Sequence, residues 1–359
     1  MRVLHVITSM ETGGAEHLMV DLLPQLRRLG CEVELALFDG HDTPFRREVE
    51  AAGIAVRCLG TGTATYNPIS AWRLARLLRR GRYDVVHTHN TACQLFAPVA
   101  KTLSGSHARL VTTEHSATNR RRSIRALRPV DRLMYAQYDS IVCISDKTQA
   151  NLEQYIGPRP SITTIYNGVD TSRFLNQIKS VDPDGPHLVT MVASFGAAKD
   201  QDTLVRAIAR LPERYRLRLV GDGPRRAEVA ALACRLGVAD RVEMTGVCTD
   251  VPRLLRESDV VALSSHWEGL SLSSIEGMAS GRPFVASDVD GLREIVRGHG
   301  VLVAEGDAEG FAQAISGLCG DPARYRAVAE ACQCKARQYD ITVMARNYLA
   351  LYKKLLEKS

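Results

Sequence analysis

Short Val-, Ile- and Leu-rich segments alternate with amphipathic stretches along this chain, and the alternation runs through twice. In the first half the predicted strands are residues 3–7, 33–38, 85–89, 110–113, 141–144 and 162–166. In the second they are residues 188–193, 217–220, 242–245, 260–263, 283–286 and 301–303. None alternates cleanly between polar and apolar, which is the pattern of a parallel strand covered on both faces. Helical runs such as 204–211 and 225–236 lie between most of them. Strand–helix alternation of this kind predicts parallel sheets joined by right-handed crossovers. Two such sets predict an α/β chain of two Rossmann-like domains, and 359 residues are enough for two cores.

The break between the domains is expected at residues 176–186, a polar stretch with two prolines and a glycine. This gives a first domain over 1–176 and a second over 186–339. In the remaining segment, 340–359, Met344, Tyr348, Leu351 and Leu355 fall on one helical face after a candidate N-cap at Asp340. That face needs an apolar partner.

No run of about 18 apolar residues occurs, so no membrane span is expected. The apolar run after Met1 is short for a signal peptide and suits a buried strand, so a cytoplasmic protein is expected. Nine scattered cysteines without a CxxC pair agree with a reducing compartment. The net charge of +6 sits wholly in the first half, where residues 1–178 carry 22 Lys+Arg against 16 Asp+Glu. Part of the excess is the run Arg120, Arg121, Arg122, Arg125 and Arg128. A patch of this kind favours anionic surfaces, among them acidic lipids and diphosphate-linked acceptors. Nucleic acid is not an expected partner. The same run also reads as a solvated, highly charged helix end.

Three loops carry residues suited to chemistry. Glu268-Gly269-Leu270-Ser271-Leu272-Ser273-Ser274-Ile275-Glu276 follows one predicted strand and opens a helical run. Open α/β sheets bind ligands at this carboxyl edge, and small residues there let helix-terminal N–H groups face a phosphate. Glu276, one turn into the helix, could accept the hydroxyls of a ribose, and Glu268 could reach a sugar hydroxyl. Equally, Ser273 to Glu276 spells a capping box, which would leave both acids structural. A second loop, from Ser194 to Lys199, places a lysine before a new helix, where its ammonium could meet a diphosphate. The third holds Gly13 and Gly14 directly after the first strand and permits close approach of backbone to a phosphate or sugar.

Together with Tyr166-Asn167-Gly168-Val169-Asp170, Val220-Gly221-Asp222-Gly223-Pro224 and Asp290-Gly291-Leu292-Arg293-Glu294, these motifs resemble the family 4 retaining glycosyltransferases. They stand in that family's order and cover essentially the whole chain. The resemblance implies the GT-B fold, two Rossmann-like domains facing across a cleft, with the last helix crossing back onto the first domain. It implies a nucleotide-sugar donor in the second domain and an acceptor in the first. By motif match, Glu276 would bind the ribose, Glu268 the transferred sugar and Lys199 the departing diphosphate, which Gly14 would approach from the other side. Val247 would flank the base. Gly269, Leu270 and Ser271 complete the donor loop, and His115 matches a histidine that the family places near the reacting sugar.

One departure matters, because the family's arginine five residues before the lysine is Ser194 here. Arg293 or a helix terminus would then have to share the diphosphate charge. Asp200-Gln201-Asp202 and Asp288-Val289-Asp290 both spell DxD, but the first suits a helix cap, and neither metal nor cofactor is expected. The expected activity is transfer from a nucleotide diphosphate sugar, UDP by family habit, in bacterial cell-surface polysaccharide or glycoconjugate synthesis. The acceptor would be a lipid-linked sugar met at the inner face of the cell membrane, or a small molecule. An epimerase or an inactive scaffold are the other readings. A dinucleotide oxidoreductase is opposed by the lack of GxGxxG after either first strand.

Overall fold

Seven parallel strands form the sheet of the first of two units. They are β1 (Arg2–Ile7), β2 (Glu32–Leu37), β3 (Ala55–Cys58), β4 (Val85–His89), β5 (Arg109–Glu114), β6 (Ser140–Cys143) and β7 (Ile162–Thr164), in the order β3-β2-β1-β4-β5-β6-β7. The helices between them are α1 (Gly14–Arg28), α2 (Pro44–Ala51), α3 (Pro68–Gly81), α4 (Thr91–Ser104), α5 (Arg128–Tyr135) and α6 (Asp146–Ile156). The computed structural model describes residues 1–11, 13–60, 66–115, 124–248 and 250–357.

Two apolar clusters sandwich this sheet. Leu4 and Val6 of β1 face one cluster, while Val3 and Ile7 face the other with Leu18, Leu22 and Leu26 of α1. Burial on both faces is why these strands read as continuous apolar runs. The order reverses between β1 and β4, so their carboxyl ends frame the switch point where open sheets receive ligands.

The second unit repeats the plan with six parallel strands in the order β10-β9-β8-β11-β12-β13. These are β8 (His187–Val192), β9 (Tyr215–Val220), β10 (Val242–Gly246), β11 (Val260–Leu263), β12 (Phe284–Ser287) and β13 (Val301–Val303). Its helices are α7 (Gln201–Arg210), α8 (Arg226–Arg235), α9 (Val251–Glu257), α10 (Leu272–Ala279), α11 (Arg293–Val296), α12 (Ala308–Cys319) and α13 (Pro322–Ala336). Here the switch point lies between β8 and β11.

The units divide at Gly168 and at Asp340, giving Met1–Gly168 with Ile341–Ser359, and Val169–Asp340. The expected break at 176–186 is therefore corrected. Val169 bridges Asp340, and Phe174 and Val181 enter the second unit's core. Lys179 forms a 2.8 Å ion pair with Asp259, and Gln333 donates to the Asn176 carbonyl at 2.7 Å. A polar, proline-containing stretch here is an ordered strap on the second unit.

The last helix, α14 (Ile341–Glu357), belongs to the first unit. Its buried face is Ile341, Met344, Ala345, Tyr348 and Tyr352, with Leu351 and Leu355 only partly covered. The expected stripe was thus rotated by part of a turn, because two tyrosines rather than two leucines fill the inner positions. Among the described residues no helix is long and apolar enough to cross a membrane, and all nine cysteines are free thiols.

Candidate functional site

In the second unit, the loops after β8 and β11 are zipped together by main-chain bonds. Asp200 N–H donates to the Ser264 carbonyl at 3.1 Å and His266 N–H to the Ala198 carbonyl at 2.9 Å, around a Lys199–Ser265 bridge. This fastening places the Lys199 ammonium against Glu268 Oε1, which also accepts from Ser265 Oγ at 2.8 Å. The two charged side chains are only 13% and 10% exposed, so their interaction is screened far less than a surface pair.

Two glycines hold the neighbouring loops in place. Gly291 has φ +84°, and a Cβ there would stand 2.0 Å from the Gly269 carbonyl oxygen. The turn after β12 therefore braces the Glu268–Gly269 backbone directly. Gly221 has φ +133°, and its Cβ would meet the Ala193 carbonyl at 2.1 Å. Its N–H also donates to Gly246 at 2.9 Å, which sets the mostly exposed Val247 beside the same edge.

Helix α10 begins at Leu272 with Ser271 as its N-cap, and the Ser271 side chain makes no capping bond. A capping box would need the helix to start two residues later, so that alternative is set aside. Glu276 lies in the second helical turn, half-buried, on the helix that opens at this edge. Gly269, Leu270 and Ser271 form the loop leading into it, with Leu270 buried.

Ser194, at the position of the missing arginine, is exposed, and its carbonyl accepts from Gln201 at 3.0 Å. Arg293 is a poor substitute: Asp288 and Asp290 hold its guanidinium at 2.5 and 2.9 Å. Sequence reasoning passed over Arg225, whose Nη1 donates to the Lys199 carbonyl at 3.1 Å while Nη2 pairs with Asp202 at 3.1 Å. It is the residue after Gly-Asp-Gly-Pro, and nothing in its local pattern announces it. Asp200 caps α7 through Thr203 N–H at 3.1 Å, so both DxD patterns serve caps and arginine pairs.

In the first unit, Gly13 is the N-cap of α1, and the Glu16 carboxylate folds back against it. Burial raises the Glu16 pKa above the ordinary carboxylate value. A Cβ on Gly14 would meet nothing within 4 Å, so that backbone faces open space. Of the arginine run, residues 120–122 lie outside the described residues, as does the Arg125 side chain. Arg128 is exposed at the start of α5, donating to the Tyr155 and Gln154 carbonyls.

His115 follows β5 and is partly buried, with its Nδ1 enclosed. Its Nε2 stands 2.9 Å from His89 Nδ1, and His89 Nε2 stands 2.9 Å from His5 Nδ1. His87 lies beside them, with Nδ1 bonded to Tyr352 at 2.6 Å and Nε2 to Thr113 at 2.7 Å. Burial lowers all four histidines, His5 to about 3 and His115 to about 4. All four are therefore neutral imidazoles at neutral pH. His5, His87 and His89 have a metal-like spacing, but both His87 nitrogens and both His89 nitrogens are already spent on hydrogen bonds. The signal for this cluster was visible as His-x-His in a strand, which puts both rings on one face, with His5 in register on β1.

Two parallel sheets with paired switch-point loops, carrying a lysine–glutamate pair in one unit and a small-residue turn in the other, define an α/β enzyme of the GT-B type. The chain belongs to glycosyltransferase family 4, also described as glycosyl transferases group 1: models of the two descriptions match residues 12–173 and 186–321 respectively. It is 26% identical over 358 residues to the lipopolysaccharide core biosynthesis glycosyltransferase LpsD of Rhizobium meliloti, covering 98% of each chain. It is 27% identical to the N-acetyl-alpha-D-glucosaminyl L-malate synthase of Bacillus anthracis, covering 74% of this chain and 73% of that one. The crystal structure of Anabaena HepE in complex with UDP superimposes with a TM-score of 0.85 at 21% identity, over 99% of this chain and 100% of that one.

Proposed function

We propose that this glycosyltransferase retains anomeric configuration, needs no metal, and moves a sugar from a UDP-sugar to an acceptor hydroxyl in bacterial cell-surface polysaccharide or glycoconjugate assembly. The observation that carries this reading is the Lys199–Glu268–Ser265 constellation at the carboxyl edge of the second sheet. In the transfer, the bond between anomeric carbon and phosphate oxygen breaks while an acceptor hydroxyl attacks the same face. Charge grows on the departing diphosphate, and Lys199 with the α10 terminus meets it without reorganisation. Glu268 binds the sugar and Glu276 the ribose. The UDP bound by HepE and the lipopolysaccharide role of LpsD support donor and setting. Metal independence is supported by the capping and arginine pairing that occupy the DxD aspartates.

One assay tests the reading: incubation with UDP-, GDP- and ADP-sugars, following nucleotide release with and without acceptor extracts and with chelator present. The expected result is acceptor-dependent UDP release and a product with the donor's anomeric configuration. An altered free sugar without acceptor dependence would instead identify an epimerase, and binding without turnover a scaffold. The malate acceptor named for the Bacillus anthracis relative keeps a small-molecule acceptor as the second reading.

A lipid-linked acceptor at the inner membrane face is supported by the first unit's surface. Tyr66, Ile69 and Trp72 are more than half exposed at and before the start of α3, as are Leu103 of α4 and Val130 and Leu133 of α5. Arg76, Arg79 and Arg80 line a groove with Trp72 and Leu103. Amphipathic surfaces mixing tryptophan and arginine suit the interface of anionic lipid. Sedimentation with vesicles containing anionic lipid should show binding at low salt that weakens as salt rises, and weaker binding by Trp72→Ala. Absence of sedimentation at low salt removes the membrane arm and leaves the soluble acceptor.

A further inference from the structure

We propose that Glu11, Asp39 and His41 form a binding site for one divalent transition cation, with zinc the best fit, at the carboxyl edge of the first unit's sheet. It is independent of the transfer step, whose charged groups Lys199 and Glu268 belong to the second unit. One ligand atom from each of the three side chains lies within 4.8 Å of the other two.

Two observations separate this cluster from an ordinary acidic surface. Asp39 is only 8% exposed, yet its Oδ1 is buried without a hydrogen-bond partner. A carboxylate oxygen enclosed in this way keeps the desolvation cost of its charge with no compensating bond. A cation between the three side chains supplies the missing partner. The second observation is spacing: His41 Nδ1 stands 3.4 Å from Glu11 Oε1. That is long for a hydrogen bond. It suits two ligands of one tetrahedral ion, because bonds of about 2.0–2.2 Å set ligand atoms roughly 3.3–3.6 Å apart.

The fold holds the loops that carry these ligands. The pairing of β1 with β2 continues past the strand ends, with Phe38 N–H donating to the Ile7 carbonyl at 3.2 Å and Asp39 N–H to the Thr8 carbonyl at 3.0 Å. The Thr43 hydroxyl donates to the Met10 carbonyl at 2.7 Å, which ties the backbone before Glu11 to the turn that carries His41. Neighbouring charges are already paired. Arg46 is held by Glu50 at 3.0 Å and by the Gly40 and His41 carbonyls at 3.3 and 3.4 Å, and Asp42 pairs with Arg47 at 2.7 Å. An imidazole beside two carboxylates favours zinc and its transition neighbours over magnesium and calcium, which take oxygen ligands. Glu11 is exposed and His41 partly so, which gives the ion a route from solvent and a fourth position for water.

The test is calorimetric titration of the untagged, metal-free full chain with Zn²⁺, followed by visible spectroscopy of the Co²⁺ form. One equivalent should bind, and an excess of Mg²⁺ should not displace it. The cobalt spectrum should show the d–d bands of a nitrogen–oxygen site without a sulfur charge-transfer band. Zinc at about 100 times Kd should raise Tm by ~5–10 °C. Glu11→Gln and His41→Ala change side chains at the surface, so the metal-free Tm should stay at the native value. Each should weaken zinc binding by more than the roughly 10–100-fold that follows loss of an outer-shell partner. No binding to the native chain, displacement by Mg²⁺, a cobalt spectrum dominated by sulfur, or native zinc affinity in either variant overturns the assignment.

Discussion

Lys199→Ala should lower turnover by roughly 10²–10³, the loss found when one preorganised donor to a developing negative charge is removed. That corresponds to about 3–4 kcal/mol, close to the ~4 kcal/mol of two unit charges 4 Å apart at an effective dielectric of 20. The competing account is that Lys199 only neutralises Glu268, with which it shares a nearly enclosed ion pair. Removing one partner of such a pair strands the other, and that cost falls on stability. The two accounts separate in the double variant. If the lysine is merely structural, Lys199→Ala with Glu268→Ala should recover both melting temperature and turnover relative to Lys199→Ala alone. If it serves the diphosphate, stability recovers and turnover does not. Glu276→Ala gives the contrast, its loss falling chiefly in donor KM. Wild-type turnover and KM in both single variants would end this assignment.

The sheet cores were legible because burial on two faces writes itself as apolar runs. The central strands of the second unit were readable in this way, and its edge strand β10, only partly buried, was readable through Val242 and Met244. The strand that was missed, β3, is an edge strand of four residues, Ala55 to Cys58, mostly exposed and containing Arg57. With one side open to solvent it has no reason to be apolar, and its arginine instead pairs with Glu34 at 2.9 Å. The strap after Gly168 misled for the opposite reason. Its prolines and charges look like a linker, yet Lys179 and the Asn176 carbonyl are anchored by groups about 80 and 157 positions further along the chain. Lys199 and Glu268 were each visible in their motifs, but their ion pair depends on two loops that only the β8–β11 adjacency joins. Arg225 and the histidine cluster are likewise products of register, with His5 opposite His87 and His89 opposite Thr113. Local pattern offers residue types, and the parallel sheet decides which of them meet.

The brace at Gly291 allows a prediction in which space and backbone strain can be told apart. Gly291 and Gly298 share nearly the same positive φ, +84° and +79°, so alanine at either pays the left-handed cost of about 1–2 kcal/mol. Around Gly298 a Cβ would find open space, whereas at Gly291 it would lie 2.0 Å from the Gly269 oxygen and 2.7 Å from that of Glu268. Both obstacles are main chain and cannot rotate away, so Gly291→Ala should lose a further ~1–3 kcal/mol typical of overpacking. For a domain of this size each kcal/mol moves Tm by about 2–4 °C. Thermal unfolding should therefore place Gly291→Ala clearly below Gly298→Ala. The displaced atoms belong to the backbone that carries Glu268, so calorimetry with a UDP-sugar should show weakened binding in Gly291→Ala alone. Equal melting temperatures and equal affinities in the two variants would mean that the turn after β12 does not shape the donor loop.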